Sequence, residues 1–218
     1  MELERKTQTE FVIQTPEMSD DDVLKTEYHY DWNAMTAINS DVVGWIRFDN
    51  PARINYPIVK GDSNQYYLNH DWQKNYLVAG SIFMHKTNDR EFADQNTILY
   101  GHRMRGGSMF GGITEYTSQE FLDNNPYFYV YTPDGKTRTY EIVAYAEVED
   151  GSDAYLTRFK TGDERTAHYD FILKHAKTKR DVALTEYDTT MLLSSCASYG
   201  YYNRMVLLGK LISIETEE

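Results

Sequence analysis

Apolar and polar residues alternate with a period of two in several stretches of this chain, the pattern of strands with one buried face. The longest such stretch is 138–148, where five apolar residues are predicted to share a face: Tyr140, Ile142, Ala144, Ala146 and Val148. A PDGK turn at 133–136 predicts a hairpin with the strand before it. With the other β-rich runs, the pattern predicts strands at Asp41–Asp49, Tyr56–Lys60, Gly80–Met84, Asn96–His102, Tyr127–Thr132, Arg138–Val148, Thr190–Ser195 and Arg204–Glu215.

Helical spacing is confined to a few segments. Acidic residues lead the apolar positions of 18–40, which suits the start of a helix. Thr117–Glu120 and Thr161–Glu164 both fit the capping-box pattern, in which a hydroxyl group and a glutamate three residues later satisfy the first backbone N–H groups. We therefore expect helices over 18–40, from the first box to about 125 and from the second to about 177, with a single helical turn over 64–70.

These elements fit a single domain. A chain of 218 residues is long enough for one sizeable core. Seven or eight short strands, a helix near the start and one late helix predict the α+β class, with a mixed-to-antiparallel β-barrel and peripheral helices. Residues 1–17 are polar and unpatterned, so we assign them to an N-terminal arm and residues 18–218 to the domain.

The composition narrows the range of partners. Aromatic residues make up 14% of the chain, and 19 residues are tyrosines, which suits strands beside a half-wet groove. The formal net charge of −12 repels phosphate backbones and anionic lipid headgroups, so nucleic acid is disfavoured as a partner. No stretch approaches the roughly 20 apolar residues of a membrane span, and the first ten residues contain no signal-peptide core.

The chain has one cysteine, Cys196. A single cysteine excludes an intramolecular disulfide and a cysteine-based zinc cluster, which leaves an inert core residue or a reactive thiol. Cys196 follows one predicted strand and Arg204 begins the next, so an antiparallel hairpin would bring both to one sheet edge. A guanidinium there would favour the thiolate and could donate to an oxyanion. A buried cysteine beside a surface arginine in an ordinary hairpin is the alternative.

Among the six histidines, His102 occupies a position typical of a catalytic group. It follows the apolar strand TILYG and precedes a glycine-rich bend, so a rigid strand would hold it facing a loop. A plain strand-end histidine explains the same placement. His70 and His85 lie near turns, whereas three others lie on predicted helices and are interpreted as solvated or half-buried bystanders: His29, His168 and His175.

The sequence lacks the motifs of several other kinds of catalytic and metal sites. The hydrolase elbow GxSxG, the phosphate loop GxxxxGK[ST] and the paired His/Cys spacing of metal sites are absent. Ser194 and Ser195 are possible nucleophiles, but no accompanying motif supports them. The sequence pattern therefore supports no metal site.

Five strings occur in the order found in a known family. They are VGWIRFDNPARINYPIVKG, NQYYLNHDW, AGSIFM, NTILYGHRM and LLSSCASYGYYNRMVLLGKL. The last string stands where the family has TLxTC followed by an arginine at the start of the final strand. On these strings the chain resembles class B sortases, the cell-surface transpeptidases of Gram-positive bacteria, from about Met18 to its last residue.

The resemblance implies a sortase-type mixed β-barrel of seven to eight strands, with an N-terminal helical segment and a helix between the sixth and seventh strands. It also implies roles for residues of this sequence. These are Cys196, His102 and Arg204 for catalysis, and Asn64, Leu68 and Ser194 for the groove that holds a sorting signal.

The reaction follows from the same resemblance. A thiol would cleave a C-terminal sorting signal of the NP-x-T-[N/G] kind after its threonine and pass the acyl chain to an amine of a peptidoglycan precursor. This transfer anchors surface proteins to the cell wall. The implied partners are the signal peptide and that amine, without a cofactor or nucleic acid. The implied location is the extracytoplasmic face of the cell membrane, with the anchor outside these 218 residues.

Some residues depart from the family pattern. Leu192 and Ser195 replace the two threonines of TLxTC, and His85 stands where many relatives carry an acid. The loop between Cys196 and Arg204 is short for class B. Two alternatives stay open: a pilin-polymerising sortase with a lysine acceptor, and a chain of another class, either a non-catalytic binding barrel or a hydrolytic cysteine peptidase.

Overall fold

The computed structural model describes residues 10–18, 24–196 and 203–216, without the side chains of 14–18, 24–27 and 196. The strands in these ranges are β1 (Val12–Met18), β2 (Leu24–Tyr30), β3 (Val42–Phe48), β4 (Asn55–Val59), β5 (Ile82–Met84), β6 (Asn96–His102), β7 (Tyr127–Thr132), β8 (Lys136–Glu149), β9 (Ala176–Lys179), β10 (Thr190–Cys196) and β11 (Asn203–Thr216). The α-helices wholly within them are α1 (Trp32–Ile38), α2 (Gln119–Asn124) and α3 (Gly162–Lys174). Short 3-10 helices cover Tyr66–Leu68, Phe110–Thr117 and Asp153–Tyr155.

Eight strands form a closed, mixed β-barrel in the order β11-β10-β6-β5-β4-β3-β7-β8, and pairing of β8 with β11 completes the ring. The pairs β10–β6 and β4–β5 are parallel, and the other pairs of the ring are antiparallel. Each strand of the ring therefore has two neighbours, which removes the exposed edges of an open sheet. The α+β class and the mixed barrel of seven to eight strands, both predicted from the sequence, are confirmed.

One extra residue in β8 changes which face of the barrel wall its side chains occupy. Tyr140 and Ile142 pack inside the barrel, whereas the alternate apolar residues of 144–148 pack in an outer cluster under α3. The pairing of β8 with β11 skips Val143. A one-residue bulge moves the following side chains to the opposite face. The prediction that all five apolar residues of 140–148 share one face is therefore wrong.

The N-terminal region forms a β-hairpin instead of the helix predicted over 18–40. The strands β1 and β2 pair antiparallel, and helix begins only with α1. Tyr30 of β2 is buried against the rings of Trp45 and Tyr131, at centroid distances of 5.1 and 4.8 Å, so burial of aromatic rings outweighs the local helical spacing. Residues 12–17, assigned to the arm, lie in β1, and 19–23 lie outside the described residues.

The late helix α3 lies between β8 and β10, the sixth and seventh barrel strands in chain order, as the resemblance implies. Thr161 caps this helix as predicted, since its hydroxyl accepts from the Glu164 backbone N–H at 3.1 Å. The other predicted capping box is wrong by one residue. Ser118 caps α2 by accepting from the Phe121 N–H, whereas the Thr117 hydroxyl bonds back into the preceding 3-10 helix.

A buried arginine, Arg165, ties α3 to the barrel. Its guanidinium donates to the Tyr169 hydroxyl at 3.0 Å and to the backbone carbonyls of Gln95, Glu186 and Asp188. These acceptors come from the helix, from the residue before β6 and from the segment before β10. One side chain therefore holds three parts of the chain in place beside the strands that lead to the site.

We expect an Arg165→Ala variant to lose about 3 kcal/mol of its free energy of unfolding, because several covered acceptors would lose their donor together. Urea unfolding followed by tryptophan fluorescence measures this loss. Lys174→Ala, an exposed change on the same helix, is the control and should stay within about 0.5 kcal/mol. A loss below about 1 kcal/mol for Arg165→Ala would show that the apolar face alone docks the helix.

Candidate active site

The predicted catalytic residues lie on three neighbouring strands at one end of the barrel. The strand β10 runs parallel to β6 with Cys196 as the Cα partner of His102, and paired strands lie about 4.8 Å apart. The strand β11 runs antiparallel to β10 and carries Arg204 at its start. The hairpin expected from the sequence is present, although its loop, 197–202, lies outside the described residues. The parallel pairing adds His102 to the same end.

The backbone fixes the orientation of the His102 ring. Its Nε2 lies 2.6 Å from the Leu68 carbonyl oxygen, which can only accept a hydrogen bond, so Nε2 carries a hydrogen. In the neutral ring Nδ1 is then the nitrogen with the free lone pair. The side chain is half-buried at the end of β6. His102 is therefore arranged to take up or release a proton at Nδ1.

A carboxylate on the turn after β8 holds Arg204. Its Nη2 donates to Asp150 Oδ2 at 2.6 Å, and its Cα partner in β8 is Val148. The Asp150 side chain is 60% exposed, so water screens this ion pair and it contributes little to stability. The consequence is geometric. The Arg204 side chain, which is only 24% exposed, is kept at the wall of a cavity beside the three strands.

This cavity has a volume of about 190 Å³, and most of the residues predicted to act on a substrate line it. Arg204 lines it together with the three residues predicted to bind a sorting signal, Asn64, Leu68 and Ser194. The ring of His102 adjoins it through the Leu68 carbonyl. The remaining lining residues are Phe83, Tyr100, Asp150 and Ser195.

The two serines before the cysteine play different parts in this wall. Ser194 is buried, and its hydroxyl oxygen lies 2.8 Å from that of Tyr155. The Ser195 hydroxyl accepts from the Met205 backbone N–H at 3.2 Å, which links β10 to β11. Both hydroxyls are thus engaged in holding the end of the barrel. This arrangement explains how a serine can replace the second threonine of the family pattern at 195 and keep a hydroxyl for that link.

The rim beside Asn64 is held by backbone contacts. Asn64 Oδ1 accepts from the Lys86 backbone N–H at 2.7 Å, which orients the side-chain NH₂ group as a donor. The next residue back, His85, lies against Tyr100 at a ring-centroid distance of 5.9 Å. Burial, with help from the charges of Lys86 and Lys60, lowers the pKa of His85. This rim therefore adds a neutral ring, that of His85, beside Tyr100.

Aromatic residues that the sequence analysis did not single out form one wall of the cavity. The rings of Phe83 and Tyr100 are 5.3 Å apart, and Tyr100 stacks on Tyr155 at 6.2 Å with an interplanar angle of 9°. The sequence could have indicated Tyr100, because it lies two residues before His102 and alternate residues of a strand share a face. Asp150 reaches the cavity from a loop distant in sequence, and Tyr155 of the same loop contacts Ser194 and Tyr100 behind its wall, which no local pattern indicates.

His168 of α3 anchors the loop that carries Asp150 and Tyr155. It is 1% exposed, and its Nδ1 donates to the Asp153 carbonyl at 2.7 Å. Its Nε2 is buried without a hydrogen-bond partner among the described residues. Burial therefore lowers the pKa of His168 and keeps the ring neutral. The prediction that His168 is a solvated or half-buried bystander is wrong, because the 3-10 helix Asp153–Tyr155 covers it.

The buried ring of His168 should make stability depend on pH. Because the folded-state pKa is lowered, the unfolded chain binds the proton first. The stabilisation is complete above the unfolded value of about 6.5 and is lost as the pH falls through the lowered folded-state pKa. Urea unfolding at several pH values between 7.5 and 5, compared with a His168→Gln variant, measures this effect. Equal pH slopes in the two proteins would contradict it.

No group of three or more His, Cys, Asp or Glu residues in the described ranges is placed to hold a metal ion. In the same part of the chain, no helix is both long and apolar enough to cross a membrane.

Comparison with known sequences gives one family. Residues 50–212 match the sequence model of the Sortase domain. A curated relative, sortase B of Listeria monocytogenes, is 34% identical over 182 residues. The matched region covers 81% of this chain and 72% of the relative, so the similarity spans most of both proteins.

Comparison with solved structures extends the similarity to the whole barrel. Sortase B from Bacillus anthracis, in complex with AAEK1, superposes with a TM-score of 0.81 at 30% identity, covering 97% of this chain and 95% of that one. The Staphylococcus aureus sortase B–substrate complex superposes with a TM-score of 0.78 at 27% identity, covering 83% and 84%. The fold is thus shared with these proteins.

Proposed function

The chain belongs to the sortase family of cysteine transpeptidases, and on that premise we propose that Cys196, His102 and Arg204 carry out its reaction. One observation carries this proposal. The parallel pairing of β6 with β10 sets the single cysteine of the sequence level with His102, beside the cavity that Arg204 lines. The helix α3 and the relatives named sortase B assign the chain to class B.

The first half of the reaction forms a thioester. The Cys196 sulfur, with its proton passed to Nδ1 of His102, attacks the carbonyl carbon of the threonine in a sorting signal of the NP-x-T-[N/G] kind. A C–S bond forms, and the carbonyl oxygen takes on negative charge. His102 then gives its proton to the peptide nitrogen as the C–N bond breaks. The products are an acyl-enzyme and a peptide with a new amino terminus.

Arg204 stabilises the charge that develops on the carbonyl oxygen. A guanidinium stays protonated throughout and donates through a rigid fork, so it stabilises the oxyanion without a proton transfer of its own. Its bond to Asp150 keeps it at the cavity wall before the peptide arrives. The side-chain NH₂ of Asn64 is a donor for the peptide backbone, and Leu68 supplies an apolar surface beside it.

The second half transfers the acyl chain to an amine. The amine nitrogen attacks the thioester carbon while Nδ1 of His102 removes its proton, a C–N bond forms and the C–S bond breaks. A thioester suits this step because amines cleave it readily. The family acts at the cell surface, and we propose a peptidoglycan-precursor amine at the extracytoplasmic face of the membrane as the acceptor. The product is then a surface protein anchored to the cell wall.

A peptide-library cleavage screen with intact-mass detection of the acyl-enzyme tests this function. We expect an adduct on Cys196 only with peptides of the NP-x-T-[N/G] kind, and conversion to an amide when a glycine or peptidoglycan amine is added. Peptides with the same composition in scrambled order are the matched control. Hydrolysis without transfer would indicate a cysteine peptidase, and transfer only to a lysine of another protein would indicate a pilin-polymerising sortase. No adduct with any peptide contradicts the proposal.

A further inference from the structure

A second cavity of about 230 Å³ lies at the same end of the barrel as the site described above. Its surface is mainly apolar, and the side chains that matter for its chemistry are Trp45, Trp72, Leu77, Ala79, Met104 and Met109. Two polar residues at its wall have partners. Asn55 Oδ1 accepts from the Trp45 indole N–H at 2.5 Å, and the Asp71 carboxylate accepts from the backbone N–H groups of Gln73 and Asn75. The cavity therefore suits an apolar group.

The two cavities flank the residues that hold His102. In the β5–β6 pair Phe83 is opposite Tyr100, which places residue 81 level with His102, and Ser81 lines the second cavity. Within β5, Ile82 lines the second cavity and Phe83 the first. Gly80, also in the second cavity, packs so closely on the Leu68 carbonyl that an added Cβ would lie 2.7 Å from its oxygen. That carbonyl is the one that orients His102.

The loop that follows His102 closes the second cavity from the other side. Met104 and Ser108 of this loop line it, and the loop is pinned by a β-bridge between Arg103 and Met109. The Met109 backbone N–H also donates to the Tyr56 hydroxyl at 3.0 Å. The second cavity is therefore a built feature that adjoins the residues holding His102 and is separate from the wall that holds Arg204.

The first half of the proposed reaction indicates which part of the substrate the second cavity would bind. His102 protonates the nitrogen of the leaving peptide, so the segment after the scissile bond must pass on the histidine side of the thioester. We propose that the second cavity is a subsite for an apolar side chain in that segment, C-terminal to the cleaved bond. This inference rests on the proposed function, and it adds a second specificity element to a signal whose motif extends only one residue past the cleaved bond.

Single-turnover acylation with paired peptides tests the subsite. The peptides share one sorting motif and differ only after the scissile bond, with leucine or serine at the second and third residues. We expect the leucine peptide to acylate Cys196 about 10-fold faster at subsaturating concentration, the scale of one apolar side chain in a fitted site. Acylation at equal rates with the two peptides would overturn the inference, whereas no acylation by either peptide is the failure of the proposed function itself.

Variants that fill the cavity complete the test. Ala79→Phe and, from the opposite wall, Ser108→Trp should each abolish the leucine preference while the serine peptide reacts as before. Val78→Phe is the matched control, because Val78 is 68% exposed and does not line the cavity. Thermal unfolding verifies that each variant is folded, and one folded filling variant is enough. A preference retained in a folded filling variant would overturn the proposal.

The acceptor step provides the remaining control. The acyl-enzyme is formed from a small thioester donor that releases a simple thiol instead of a peptide segment, and its aminolysis by triglycine is then measured. Ala79→Phe should leave this rate unchanged within about 2-fold, since the filled cavity serves only the leaving segment. A slowed aminolysis with an unchanged leucine preference would assign the cavity to the acceptor and overturn the proposal.

Discussion

A Cys196→Ala variant is expected to lose cleavage of a sorting-signal peptide by at least about 10⁴-fold, the scale seen when a covalent nucleophile is removed from an enzyme. The reason is that the 218 residues contain no second thiol, so no other side chain can form the thioester. The nearby hydroxyls of Ser194 and Ser195 are held by Tyr155 and the Met205 backbone, so neither is expected to replace Cys196 as the nucleophile in this variant.

A quenched fluorescent peptide measures this loss, and intact-mass detection shows whether the acyl adduct disappears with it. Cys196→Ser is the matched variant, because it keeps the size of the side chain while replacing a thiol by a hydroxyl of much higher pKa. It should be nearly as inactive as Cys196→Ala. Thermal unfolding of both variants should match that of the unchanged chain. Full residual cleavage by folded Cys196→Ala would remove the assignment of Cys196 as nucleophile.

Replacing Arg204 by lysine should damage the reaction nearly as much as replacing it by alanine, with kcat reduced about 10²–10³-fold in both. A lysine keeps the charge, but its single ammonium cannot present the planar fork that holds Asp150 at one end and an oxyanion at another. The loss should appear in kcat, because the oxyanion exists only in the transition state and the intermediate.

Steady-state kinetics of Arg204→Ala and Arg204→Lys separate these possibilities. Arg105→Lys, an exposed arginine in the loop after His102, is the control and should leave kcat and KM unchanged. An Asp150→Asn variant should fall between the control and the Arg204 variants, since it loosens the guanidinium without removing it. Near-normal turnover by Arg204→Lys would show that positive charge alone is sufficient.

The pattern of apolar and turn residues along the sequence predicted most of the barrel strands, because that pattern is set by residues within each strand and its flanking turns. The run of apolar residues in Asn96–His102 and the turn at 133–136 are found where they were predicted, as β6 and as the β7–β8 hairpin. The N-terminal hairpin was missed because Tyr30 is stabilised by rings that come from β3 and β7. The two faces of β8 were missed because the bulge at Val143 depends on the partner strand.

The same distinction holds for the candidate site: residues in recognisable strings were predicted, and residues that act through distant contacts were not. Family strings indicated Asn64, Leu68 and Ser194, and the cavity contains all three beside Arg204. The residues that support them were not predicted, because their roles arise from contacts across the fold. Tyr155 reaches Ser194 from another loop, and His168 is buried because α3 folds over that loop.

The parallel pair β6–β10 has a consequence for the order in which the molecule is made. The histidine strand is synthesised long before the cysteine and arginine strands, and β10 must insert between β6 and β11 before the ring can close. Such pairing between distant segments is slow compared with the formation of a local hairpin. Until the last strand is in place, the nascent chain therefore carries Cys196 without His102 and Arg204 beside it. Catalytic competence and completion of the barrel are one folding event.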